Sequence, residues 1–268
     1  MGDYAFFLGG YDLEMVGIKD LLSQHSRAPV HDRQLAWGAK ASAYRDEIDR
    51  ELASGRTAVL VELEDDLPES YPRSRLLFVD HHNERAGRDV PTSLEQVFQL
   101  LALPRRLWTR ERALVAANDR GHVGAMLALE PPATGEELWN IRLADRAAQG
   151  ISPAEESAAA AAIAATCRTL WSNRLTVVTL PHARTATATD RLDARLGGPG
   201  FENLLVECPQ AAFFFGAGRA IQALRKRWPD SFCGGELPER GFWGRASRTE
   251  LTDLLALLSS LFSDEAPR

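Results

Sequence analysis

Four short apolar runs, each handing over to an acid, fall within the first 121 residues and commit the chain to an alternating α/β design. Tyr4-Ala5-Phe6-Phe7-Leu8 runs into Gly9-Gly10-Tyr11-Asp12-Leu13-Glu14, and Thr57-Ala58-Val59-Leu60-Val61 into Glu62-Leu63-Glu64-Asp65-Asp66. Leu76-Leu77-Phe78-Val79 runs into Asp80-His81-His82, and Ala113-Leu114-Val115-Ala116-Ala117 into Asn118-Asp119-Arg120-Gly121. Short apolar runs bounded by turn residues read as buried strands. Residues 16–24 and 39–52 have helical spacing, the second stopped by Ser54-Gly55, which gives a βαβ rhythm and a parallel sheet. Ligands gather at the carboxyl ends of such strands.

Asp80-His81-His82 is the densest of these exits, holding two of only six histidines. A carboxylate beside two imidazoles suits a hard or borderline divalent ion such as Mn2+. By itself the triplet is equally a solvated strand end with one histidine capping the next turn. The other acidic exits tip the balance towards a site.

The order of these motifs resembles the DHH phosphoesterase superfamily, which includes RecJ-like nucleases, oligoribonucleases, cyclic-dinucleotide phosphodiesterases and family II pyrophosphatases. Pro91-Thr92-Ser93-Leu94-Glu95-Gln96-Val97-Phe98 is similar to the Ser/Thr-led helix that follows the triplet. Locally it reads as a capping box with Ser93 as N-cap and Gln96 three residues on. Asn118-Asp119-Arg120-Gly121 is similar to the fourth family motif. Cys233-Gly234-Gly235 and Gly241-Phe242-Trp243-Gly244 resemble a variant of the Gly-Gly-His segment of the DHH-associated C-terminal domain.

The resemblance implies a dinuclear Mn2+-type centre, with Mg2+ as the alternative ion. Asp80 would bind or bridge metal, His81 would join the coordination shell, His82 would sit near the scissile phosphate, and Asp119 would supply a further ligand. Asp12 and Glu14 keep the acid-x-acid spacing of the first motif, but Leu8 stands where a histidine is expected. Glu62 stands for the aspartate of the second motif, with Glu64 as its substitute, since side chains two apart on a strand share a face. Two cations about 3.5–4 Å apart clamp the attacking and leaving oxygens of a phosphoryl group. With one imidazole lost and two ligands lengthened, one metal, two unequal metals and a non-hydrolytic binder all stay open.

The second half repeats the sheet signals in residues 174–180, 204–206 and 212–215. Gly216-Ala217-Gly218-Arg219 opens a helix over residues 220–228, where backbone amides and Arg219 could hold a phosphate. Gly234 and Gly235 permit close approach of a substrate, and Phe242 or Trp243 could stack on a base. The arginines at 105, 106, 110, 112, 225 and 227 read as solvated helix faces, as does Lys226. His122 stays open between metal, phosphate and core, whereas His25, His31 and His182 read as structural or surface groups. The Trp37-Gly38-Ala39 turn has no evident local cause. The domains expected are 1–150, catalytic and DHH-type; 151–172, an alanine-rich linker helix; and 173–268, a smaller α/β substrate domain.

A net charge of −6 argues against a generic nucleic-acid coat and favours a small nucleotide or short oligonucleotide substrate. Cys167, Cys208 and Cys233 lack zinc spacing and an even count, which fits a reducing cytoplasm. No apolar run reaches spanning length. A homodimer is open, through a strand edge or the helix over residues 251–258, although that apolar face reads first as core. The expectation is a metal-dependent phosphoesterase. The alternative is a degenerate DHH fold that binds a nucleotide or a protein without turnover, and a structural α/β protein is the third reading.

Overall fold

The computed structural model describes residues 3–87 and 89–263. Among them the chain divides into two compact units, Met1–His81 with Val90–His122, and His82–Asp89 with Val123–Arg268.

In the first unit, β1 (Tyr4–Gly10), β2 (Val30–Leu35), β3 (Thr57–Val61) and β4 (Leu76–Val79) form a parallel sheet in the order β2-β1-β3-β4. Three of these are the apolar runs read from sequence. β2 was hidden because Val30-His31-Asp32-Arg33-Gln34-Leu35 is an edge strand, polar and only partly covered. Its His31 ring stacks on Phe7 at 4.7 Å and its Nε2 lies 3.0 Å from Glu51 Oε1, a structural role. The unit also holds α1 (Leu13–His25), α2 (Arg45–Ala53) and α3 (Ser93–Leu100). The helix expected over 39–52 is in fact a short 3-10 turn, Ala41–Tyr44, followed by α2. Phe7, Tyr44, Ile48, Ala58 and Leu60 form its packed core on one face of the sheet. Trp37 sits on Gly10, whose absent Cβ would lie 3.2 Å from Trp37 Cα, and Gly38 beside it takes φ +75°. That close approach accounts for the unusual turn.

The fourth apolar run is not a strand. Residues 113–117 lie in α4 (Arg110–Leu127), which is broken at Gly121 (φ −161°) and His122 (φ +53°). A short apolar run cannot separate a buried strand from a buried helix, and alanine favours the helix. The cap of α3 is also one residue earlier than expected. Thr92 is the N-cap and accepts from Glu95 N–H, while Glu95 Oε2 accepts from Thr92 N–H at 2.7 Å.

The second unit contains α5 (Gly135–Ala148), α6 (Pro153–Thr166), β5 (Arg168–Leu170), β6 (Leu175–Thr179), α7 (Ala186–Leu192), β7 (Leu204–Cys208), β8 (Ala211–Ala217), α8 (Gly218–Arg227), β9 (Phe232–Gly234), β10 (Arg240–Arg245) and α9 (Leu251–Phe262). Its sheet runs β5-β6-β7-β8-β10-β9, with β6 and β7 parallel and the other neighbours antiparallel. Trp243, Phe214 and Phe262 are fully buried in its core, and α9 contributes Leu254 and Leu258 to the same cluster. The chain therefore carries an α/β fold with one parallel and one mixed sheet. Where the sequence places a boundary near residue 150, the compact units divide after residue 122. Arg142 of α5 bonds Asp190 of α7, so the helices read as domain end and linker belong to the second unit. The alanine-rich helix stops at Thr166, and residues 168–170 are strand. Among the described residues, no helix is long and apolar enough to cross a membrane.

α6 begins with a capping box in which Glu155 Oε2 accepts from both the N–H and the hydroxyl of Ser152 at 2.8 Å. The Ser152 backbone N–H, then its hydroxyl, hold the Glu155 carboxyl down at about 2 against burial, with Arg184 assisting. A depressed folded value stabilises fully above the ordinary 4.5 and is lost as pH falls through about 2. Ser152→Ala is expected to cost about 1 kcal/mol near neutrality. The gap from wild type should narrow as urea melts are taken from pH 5 down to pH 2 (roughly the window between the two values); a gap that widens on acidification contradicts the assignment.

Candidate metal centre

Glu62, His81 and Asp119 each present a ligand atom, and these atoms lie within 4.8 Å of one another. His81 Nε2 is their centre, 2.5 Å from Asp119 Oδ2, 3.5 Å from Glu62 Oε1 and 3.5 Å from Glu14 Oε2. Three sequence-distant elements deliver Glu14, His81 and Asp119. Glu14 lies in the first turn of α1, His81 follows β4, and Asp119 arrives two residues before the break in α4.

Glu62 is placed by its backbone. β3 ends at Val61, and Glu62 takes φ +52°, which interrupts strand alternation and separates it from Glu64. Glu64 instead accepts from Ala41 N–H through its carbonyl, and its exposed side chain lies 3.9 Å from Lys40 Nζ. Of the two glutamates, Glu62 is the one whose carboxylate joins the cluster. Gly9 is required beside it, because a Cβ there would collide with the Glu62 carbonyl oxygen. His122 also holds a left-handed φ that a histidine rarely adopts, next to the Asp119-bearing turn.

Burial is the largest influence on both Glu14 and His81, and in both it is overcome. It pushes Glu14 up, but hydrogen bonding and charge from His81, with the Leu94 N–H and Thr92, hold the carboxyl at about 2. It pushes His81 down, but Asp119, Glu14 and Glu62 raise the imidazole well above 6.5. One buried and two largely covered carboxylates around one imidazole need positive charge, since anions removed from water are costly unless paired or bound to metal. Oxygen and imidazole donors aimed at one point fit a divalent cation of the Mn2+ or Mg2+ kind.

Asp12 is the N-cap of α1, accepting from Met15 N–H at 2.9 Å. The Asp80 carbonyl accepts from Gln96 Nε2 at 3.0 Å. Leu8 is fully buried in β1, and its carbonyl accepts from the Tyr44 hydroxyl at 2.7 Å. His82 lies in the second unit, its ring 6.2 Å from that of Phe242. A Cβ on Gly234 would come within 2.9 Å of His82 Cδ2 and 2.7 Å of Phe242 Cζ, so this glycine lets the two rings meet β9. Gly235 follows with φ +99°.

Arg219 does not face a phosphate turn. It donates to the Leu261 carbonyl at 3.3 Å and lies 5.5 Å from the centre of the Phe262 ring. The turn's amides are engaged as well, Ala217 N–H by Asn203 Oδ1 and Gly218 N–H by the Glu239 carbonyl, each at 2.8 Å. In sequence a glycine-rich turn before a helix looks the same whether its amides serve the fold or a ligand.

No protein-family model matches the chain, and no curated protein matches its sequence. Solved structures do. Over 97% of this chain it is similar to a DHH domain described as a member of a family of ribosomal proteins, at TM-score 0.53 and 12% identity, covering 86% of that chain. Over the same 97% it is similar to RecJ of Thermus thermophilus in complex with Mn2+, at TM-score 0.50 and 14% identity, covering 52% of that chain. The chain has the DHH-type fold that Asp80-His81-His82 and its neighbouring motifs imply.

Proposed function

We propose that the protein is a metal-dependent phosphoesterase acting on a small nucleotide or a short oligonucleotide. The observation that carries this reading is the convergence of Glu14, Glu62 and Asp119 on His81 Nε2. These four residues would hold a divalent cation, Mn2+ or Mg2+, which supplies Lewis acidity at a phosphoryl oxygen when bound. To serve as a ligand His81 would have to give up its proton, and the carboxylates would balance the cation's charge. Asp80 and Asp12 are proposed as supports of a second ion, and His82 as a contact to the scissile phosphate. The first unit is then the catalytic domain, and the second, through Gly234 and Gly235, the substrate domain. The Mn2+ complex of the RecJ with this fold supports the choice of ion.

The test is hydrolysis of short oligonucleotides, nucleoside bisphosphates, cyclic dinucleotides and pyrophosphate, with and without Mn2+, by the wild type and by Glu62→Gln. Turnover that needs both the metal and Glu62 supports the reading. A second reading, a nucleotide-binding or protein-binding protein without turnover, is favoured by Leu8, an apolar and fully buried residue where the resemblance expects histidine. Tight nucleotide binding without turnover of any substrate, by a folded protein carrying Mn2+, selects it.

A further inference from the structure

Three consecutive residues at the start of α3 each hold a different ligand-bearing element of the first unit. The Leu94 N–H donates to Glu14 Oε1 at 3.0 Å, fixing the carboxylate on α1. The Glu95 carboxylate receives the guanidinium of Arg120, the chain neighbour of Asp119 on α4. Gln96 Nε2 donates to the Asp80 carbonyl at 3.0 Å and to the Pro91 carbonyl at 2.8 Å, fixing the peptide that leads from β4 into His81. The first turn of α1, the Arg120 turn of α4 and the exit of β4 thus converge on one helical turn, which is closed by the Thr92–Glu95 capping box.

We propose that Glu95 and Gln96 are positioning residues of the cation site: they touch no cation but set how well Glu14, His81 and Asp119 meet around one. The inference rests on the cation reading given above. Donors carried by separate elements bind an ion tightly only where their backbones are held in register. Groups that orient metal ligands typically contribute 10–100-fold in affinity. Gln96 is the clearest case, since one side-chain amide ties both ends of the segment between Asp80 and Pro91. Glu95 has two separable duties, because glutamine also serves at this position of a capping box but carries no charge for Arg120.

The experiment is titration of the metal-stripped, full-length protein with Mn2+, reading the electron paramagnetic resonance of the free aquo ion, beside the melting temperature of each metal-free protein. Glu95→Gln keeps the cap and loses the ion pair; Gln96→Met keeps length and apolar bulk and loses both donors. Each is expected to bind Mn2+ roughly 10–100-fold more weakly, at an unchanged metal-free melting temperature. Arg120→Lys, which keeps a cation opposite Glu95, should retain most of the wild-type affinity. Wild-type affinity in Glu95→Gln and Gln96→Met overturns the proposal and leaves the cation reading standing. An affinity loss that only tracks a fall in metal-free melting temperature also overturns it. A wild type that takes up no Mn2+ sinks the cation reading and this proposal together.

Discussion

Asp119→Asn is expected to melt near the wild type when metal-free and to gain nothing from Mn2+, whereas the wild type rises with added ion. An ion that binds only the folded chain stabilises it by about 2.7 kcal/mol at a hundred times its dissociation constant. Of the three carboxylates, Asp119 Oδ2 lies nearest to His81 Nε2, at 2.5 Å, so the amide removes both a donor and a close countercharge of the imidazole. Without metal, Glu14 and Glu62 still flank the imidazole at 3.5 Å each, and the protonated ring keeps two carboxylate neighbours. The loss should therefore appear in ion response and turnover, not in folding. Differential scanning fluorimetry across a Mn2+ series reads both halves. A metal-free variant that is already unfolded, or one stabilised by Mn2+ as strongly as the wild type, contradicts the arrangement.

Arg142→Met should give the largest loss of stability anywhere in the second unit. The Arg142 guanidinium is 1% exposed and bonds Asp190 Oδ1 at 2.8 Å through Nε and Asp145 Oδ2 at 2.9 Å through Nη1. Removing it strands two carboxylates in the interior, and breaking a buried pair from one side costs roughly 3–5 kcal/mol. Arg146 still reaches Asp190 and Glu156, which keeps the cost at the lower end of that range. Adding Asp145→Leu and Asp190→Leu removes the stranded charges, and apolar replacement of a whole buried cluster is often close to neutral. Urea denaturation should show the triple variant more stable than Arg142→Met alone; the reverse order means that the network does more than satisfy its own charges.

The legible parts of the sequence were those where one physical cause dominated. Three buried strands are short β-branched or aromatic runs between turn residues, and Asp80-His81-His82 falls where their parallel sheet ends. Glu62 stood first in sequence with Glu64 as its substitute, and the two part in the structure because a left-handed residue after Val61 breaks the alternation on which strand reasoning depends. The 113–117 run misled for another reason: buried alanine and leucine satisfy strand and helix alike. Asp119 still reaches the cluster from a helix, two residues before the break at Gly121 and His122. β2 escaped because an edge strand needs little apolar character. Gln96 and Glu95 carry no motif at all, and their bonds to Asp80 and Arg120 appear only once separate elements are folded together.

Residues 82–89 belong to the second unit, although the chain on both sides of them belongs to the first. Asn83 Oδ1 accepts from the Cys233 N–H at 3.1 Å, which ties this excursion to β9. No single breakpoint in a gene therefore separates the two units. A fragment ending at residue 122 would carry a loop whose strand partner is encoded more than a hundred codons further on (150 residues separate Asn83 from Cys233). Insertion, swapping or circular permutation has to move the loop and the distant strand together, so the pair acts as one module despite its distance in sequence.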